Sequence, residues 1–233
     1  MKKYLFLLVI SGLVSCKESK TNYQSKSRDL LENGKIEEAI LVLNSAVQDY
    51  PADPDFYNMR GAAFYQKGEF KEALKDFDLS IQLDSTNYRP YYNSGNCYFE
   101  LNDYHNAVGR YLTAIDLEPY QDDLYVNLAN TYYEIKDYNK AIANFKLALQ
   151  LNDSSYLANF NLAKSLIEID SIASAEPYLE KCIQIAPSKG DSFYFLAFCR
   201  FITHENSDYC TLYHTSLNLG YEPKSSLLED ACQ

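Results

Sequence analysis

The sequence predicts an all-α solenoid: six stacked helix pairs closed by a short C-terminal helix. Three observations carry this reading. Residue types recur every 34 positions, and six windows align without insertion or deletion: 20–53, 54–87, 88–121, 122–155, 156–189 and 190–223. Small residues return at fixed places. The eighth position holds Ser27, Gly61, Gly95, Ala129, Ala163 and Ala197; the twentieth holds Ala39, Ala73, Ala107, Ala141 and Ala175 before Tyr209 breaks the series. Large side chains fill the fourth, eleventh, seventeenth and twenty-fourth positions, as Tyr57, Phe64, Phe70 and Phe77 do in the second window. Within each window the apolar residues fall at spacings of three, four and seven, which place them on one face of a helix. Small residues let two helix axes approach to about 8–10 Å. No pair can bury its own face, so neighbouring pairs must stack.

Composition agrees. The chain has 233 residues, 47% of them hydrophobic, enough for a packed core. The formal charge of −11 repels phosphate backbones, so no nucleic-acid partner is expected. The acid excess reads as a solvated outer face.

Taken from the start, Lys2 and Lys3 precede an apolar run over residues 4–14, broken only by Ser11 and Gly12. That is about half of the ~20 residues a membrane-spanning helix needs, and it reads as a secretory signal. Its end, Leu13-Val14-Ser15-Cys16, resembles the lipobox of bacterial lipoproteins. The resemblance implies that residues 1–15 are a signal peptide and that Cys16 is acylated. Each buried methylene adds ~0.8 kcal/mol, so two or three chains anchor the protein durably. Residues 16–19 form the anchor and a short linker, which holds the domain close to the bilayer. The implied place is the bacterial cell envelope, at the outer rather than the inner membrane, facing the periplasm or the surface.

The repeats follow over residues 20–223. The fifteenth position closes each first helix with Gly34, Gly68 and Asn102, residues that tolerate left-handed backbone. Lys136, Asp170 and His204 suit it less, so the later turns are expected to be looser. Pro51, Ser85, Pro119, Asp153 and Pro187 end the second helices. Pro177 falls inside the second helix of the fifth window; a late start capped by Ser174, or a kink, is expected there. Gly220 stops the last paired helix, and residues 224–233 supply a capping segment, helical over 225–232. This pattern resembles the tetratricopeptide repeat, which implies a right-handed superhelix with its first helices lining a concave face.

In that family the second, fifth, sixth, ninth and twelfth positions face the groove. The sixth holds Asn93, Asn127 and Asn161; Met59 breaks the series, but Asn58 at the fifth still faces inward. The ninth adds Asn96, Asn130 and Lys164. An amide both donates and accepts, so such a ladder can hold an extended peptide backbone without reading its sequence. The alternative is that Asn is only the habit of the repeat. Tyr65, Tyr92, Phe99, Tyr133, Phe160, Tyr194, Phe198 and Phe201 are expected to face the same groove, or pack between helices. Phe160, Tyr194 and Phe198 are the least expected for the repeat and suggest an apolar docking patch. Tyr111 reads as packing alone. Arg28, Arg89 and Lys164 do not form the clustered clamp that chaperone-binding members use for a terminal carboxylate.

Neither catalysis nor a metal or cofactor is expected. The three His residues lack metal spacing, and no H-E-x-x-H, G-x-S-x-G or phosphate loop occurs. Cys97, Cys182 and Cys199 sit on helix faces as packing residues. Cys210 and Cys232 lie near the C-terminal cap, where pairing and free thiols both stay open. The function these features point to is a membrane-anchored scaffold or assembly adaptor that binds partner proteins or extended peptides. Lipoproteins that pilot secretins or adapt cell-wall hydrolases form the nearest analogy. The alternative is a glycan-binding component of an outer-membrane uptake system.

Overall fold

The computed structural model describes residues 18–203 and 208–233. Cys16, the signal segment and His204 lie outside the described residues. Thirteen helices and no strands occur among those described. The pairs are α1 (Lys20–Glu32) with α2 (Ile36–Asp49), α3 (Pro54–Gln66) with α4 (Phe70–Leu83), and α5 (Tyr88–Glu100) with α6 (Tyr104–Leu117). They continue as α7 (Asp122–Glu134) with α8 (Tyr138–Leu151), α9 (Tyr156–Glu168) with α10 (Ile172–Ile185), and α11 (Gly190–Thr203) with α12 (Tyr209–Asn218). A five-residue helix, α13 (Leu227–Ala231), ends the chain. The first helices therefore begin at the first position of every window.

Each helix packs on the next in sequence, and α1–α3, α3–α5, α5–α7 and α7–α9 also touch. No second helix touches its counterpart to the same extent among the described residues. The stack therefore curves with the first helices on its inside. The core runs along the helix-pair crossings. Phe56, Phe77, Tyr111, Phe145 and Leu179 are wholly buried there. The small residues at the eighth position are a steric requirement of this packing. A Cβ on Gly61 would meet the Phe77 ring at 2.6 Å, and one on Gly95 would meet the Tyr111 ring at 2.6 Å.

The first helices end in one repeated hydrogen-bond pattern. Gly68 N–H donates to the Tyr65 carbonyl at 2.9 Å and Glu69 N–H to that of Phe64 at 2.9 Å. This is the Schellman arrangement, with the residue after the cap in left-handed backbone. Lys136 (φ 62°) and Asp170 (φ 60°) adopt it as Asn102 (φ 58°) does. Their bonds are as short: Lys136 to Tyr133 at 2.9 Å, Asp137 to Tyr132 at 2.9 Å, Asp170 to Ile167 at 3.0 Å. The expectation of looser later turns is thus corrected at these two sites. The helix crossings on either side dictate the turn, and they override a local penalty of about 1–2 kcal/mol.

Pro177 requires a second correction. Helix α10 starts at Ile172 and runs unbroken past Pro177 to Ile185, so the late start at Ser174 does not occur. Pro177 and the residue four before it, Ala173, both face solvent. Water can satisfy the carbonyl that Pro177 leaves without a backbone donor, which removes part of the cost.

The C-terminal end is closed covalently. Cys210 and Cys232 form a disulfide with Cα atoms 5.3 Å apart. It pins α13, shorter than its expected span, across the end of the stack. Leu228 is fully buried there with Tyr194, Ala197 and Tyr213. Cys97, Cys182 and Cys199 are free and buried, and burial pushes each thiol up to about 12.

Candidate binding groove

The inner face is built by α3, α5, α7 and α9. Asn93 and Asn96 lie one turn apart on α5, Asn127 and Asn130 on α7, Asn161 and Lys164 on α9. Their amides join neighbouring repeats. Asn93 Nδ2 donates to Asn58 Oδ1 at 3.0 Å. Asn127 Nδ2 donates to the Tyr92 hydroxyl at 3.0 Å and to Asn96 Oδ1 at 3.1 Å. Asn161 Nδ2 donates to Asn130 Oδ1 at 2.8 Å. Every sixth-position amide thus turns its nitrogen toward the preceding repeat. The Oδ1 atoms of Asn93, Asn127 and Asn161 accept no hydrogen bond from the described residues. The ladder clips the solenoid together and still presents a row of acceptors to the groove.

Between α3 and α7 the groove deepens into a recess of about 300 Å³, walled by Tyr65, Tyr92, Asn96, Phe99, Tyr111, Asn127 and Asn130, with Glu100 at its edge. A second recess of about 210 Å³ adjoins it across Tyr92 and includes Arg89 and Asn93. Tyr111 corrects a sequence expectation. It packs against Gly95 as the repeat requires, but its hydroxyl also donates to Asn96 Oδ1 at 2.7 Å. Core and groove are therefore one bonded unit at this point. Phe77 and Phe145 hold the same repeat position, so Tyr in place of Phe was the available signal. Burial raises the phenols of Tyr111 and Tyr92 above the ordinary value. Tyr133 is pushed up to about 12 by burial and then by Glu168.

Toward the C-terminal half the expected apolar patch is corrected at Tyr194, while Phe160 and Phe198 stay half-buried. Tyr194 is only 8% exposed. It packs on Phe195 and Tyr221, under the capping segment. Phe160 stacks on Tyr156 with centroids 5.7 Å apart and meets Phe195 edge-on, and Phe198 joins both adjoining core clusters. These rings stabilise the end of the stack. Lys164 Nζ lies 5.0 Å from the Tyr133 ring centroid and 6.0 Å from that of Phe160, in cation–π range. Among the described residues, no group of His, Cys, Asp and Glu could hold a metal, and no helix is long and apolar enough to cross a membrane.

Comparison with known proteins matches this geometry. Tetratricopeptide-repeat models match residues 25–88, 123–155 and 156–189, and a TPR-repeat model matches residues 95–136. No curated protein matches the chain in sequence. Among solved structures, Pseudomonas aeruginosa PilF is 22% identical with a TM-score of 0.78, over 91% of this chain and 95% of its own. YrrB, described as a TPR protein with an unusual peptide-binding site, is 19% identical with a TM-score of 0.69, over 81% and 96%. MamA of Desulfovibrio magneticus RS-1 is 20% identical with a TM-score of 0.66, over 72% and 96%. At these identities the structures share the fold alone. The family models cover well over half of the sequence, and the helix register repeats without a slip through five windows: the chain belongs to the tetratricopeptide repeat family.

Proposed function

We propose that this protein is a lipid-anchored scaffold of the bacterial cell envelope that holds a partner protein by an extended segment laid in its concave groove. The observation that carries this is the row of unused amide oxygens on Asn93, Asn127 and Asn161, one per repeat and all on the inner face. Peptide N–H groups are the donors such a row suits, because a backbone offers them at regular intervals whatever its sequence. YrrB has a peptide-binding site by its description, which gives the reading a precedent within the fold. Enzymatic work forms no part of the proposal. The sugar-binding alternative has less support. Two of the rings it would need are already engaged: Lys164 Nζ lies 5.0 Å from the Tyr133 centroid and 6.0 Å from that of Phe160, and Phe160 stacks on Tyr156 with centroids 5.7 Å apart.

In-cell crosslinking should test the groove. The Asn93→Ala, Asn127→Ala double variant should lose the crosslinked species that the native chain gives. An unchanged pattern would show that the ladder only holds the repeats together. Thermal stabilisation by oligosaccharides and not by peptides would favour the alternative instead.

Anchoring rests on the Cys16 sequence. The Cys16→Ser protein should leave the membrane fraction, since no helix among the described residues is long and apolar enough to cross a membrane. Retention in that fraction would refute lipidation.

A further inference from the structure

We propose that the recess between α3 and α7 receives a lysine or arginine side chain of the partner segment. This rests on the groove reading above and adds the chemistry of one subsite.

The molecule contains its own template for the contact. Two repeats further along, the Lys164 ammonium lies 5.0 Å from the Tyr133 ring centroid and 6.0 Å from that of Phe160. The Tyr133 hydroxyl there donates to Glu168 Oε1 at 3.3 Å. Cation, two rings and carboxylate form one cluster. Moving back 68 residues gives the recess. Tyr133 becomes Tyr65, Phe160 becomes Tyr92, Glu168 becomes Glu100 and Lys164 becomes Asn96. The rings and the carboxylate are kept, and only the cation is missing.

The other surroundings favour a positive guest. No Lys or Arg lines the recess. Glu100 is exposed and makes no ion pair among the described residues, and it stands close enough to Tyr65 to raise its phenol further after burial has done so. Asn96, which stands where the template has its lysine, is neutral, and its Oδ1 is taken by donors from Tyr111 and Asn127. The space of about 300 Å³ admits one long side chain beside the Tyr65 and Tyr92 rings, with its charge near Glu100. A carboxylate guest would meet Glu100 and the protein's net charge of −11 instead.

The test uses the purified full-length chain and two labelled dodecapeptides of Gly and Ser, one with a central lysine and one with acetyl-lysine there. Fluorescence polarisation at low salt should show the lysine peptide bound about fivefold more tightly, a typical margin for a partly exposed cation–π site beside a carboxylate. Glu100→Gln should bring the two peptides within about twofold of each other. Asn96→Lys, which supplies the missing cation from the protein itself, should abolish the preference likewise. Equal binding of both peptides to the native chain overturns the subsite and leaves the groove reading standing. A preference that survives both substitutions also overturns it, because the cation then docks elsewhere. Binding of neither peptide overturns the groove reading and the subsite together.

Discussion

Asp76→Ala is expected to destabilise the N-terminal repeats by about 3–5 kcal/mol, the cost of leaving a buried charge without its partner. The Asp76 side chain is 5% exposed and that of Arg60 17%. Arg60 Nε donates to Asp76 Oδ2 at 2.8 Å and Nη2 to Oδ1 at 2.7 Å, while Nη1 donates to Asn44 Oδ1 at 2.9 Å. One guanidinium thus ties α2, α3 and α4 together, across the boundary between the first two repeats. Removing the carboxylate strands that cation among packed helices. Removing both charges is a different matter. Arg60→Met with Asp76→Leu should come within about 1 kcal/mol of the native chain, since a buried ion pair rarely outweighs its own desolvation. In a solenoid each repeat touches only its neighbours, so the loss should appear locally. Hydrogen exchange should speed up in α1 to α4 and stay unchanged in α9 to α12. A fall of less than about 1 kcal/mol for Asp76→Ala would mean that water reaches the pair and that the link is a surface one.

Most of the fold is legible in the sequence, because stacking writes the same steric demand into every window. Gly61 and Gly95 have to be small for Phe77 and Tyr111 to pass, and the recurrence of small residues there marks the helix crossings in the sequence itself. Local chemistry is a poorer guide where packing overrules it. Lys136 and Asp170 take left-handed backbone because helices on both sides demand that turn. Pro177 sits inside a helix because its exposed face lets water replace the lost donor. The groove is only half legible. Position within the repeat identifies which Asn residues face inward. It does not show that their nitrogens bond the preceding repeat, since that depends on how far apart the pairs stack. Tyr194 is groove lining by position, yet a capping segment remote in sequence covers it. Glu100 carries no signal by itself, and its meaning comes from comparison with Glu168 two repeats away.

Tyr111 carries the second large effect, and it separates the two roles that position combines. Tyr111→Ala removes a fully buried ring beside Gly95 and should cost about 3–5 kcal/mol, with the cavity left by the ring setting the upper end. Tyr111→Phe keeps the ring and removes only the donor to Asn96, which should cost about 1 kcal/mol. Urea unfolding of both variants would measure the difference. The milder variant is the informative one for function. Without the Tyr111 hydroxyl, Asn96 Oδ1 keeps only the bond from Asn127 among the described residues, so its amide gains freedom on the recess wall. Ligand binding should therefore weaken more than the small stability change would suggest. Binding that stays native in Tyr111→Phe would place Tyr111 back in the core alone. The hydroxyl also sets an alkaline limit. Burial raises the folded phenol above its unfolded value of about 10, so the folded state prefers the neutral form. The stability this protects is complete below about pH 10 and falls as pH rises beyond it, when the unfolded chain ionises first. Tyr111→Phe should flatten part of that fall, and the buried phenols of Tyr92 and Tyr133 should account for more of it.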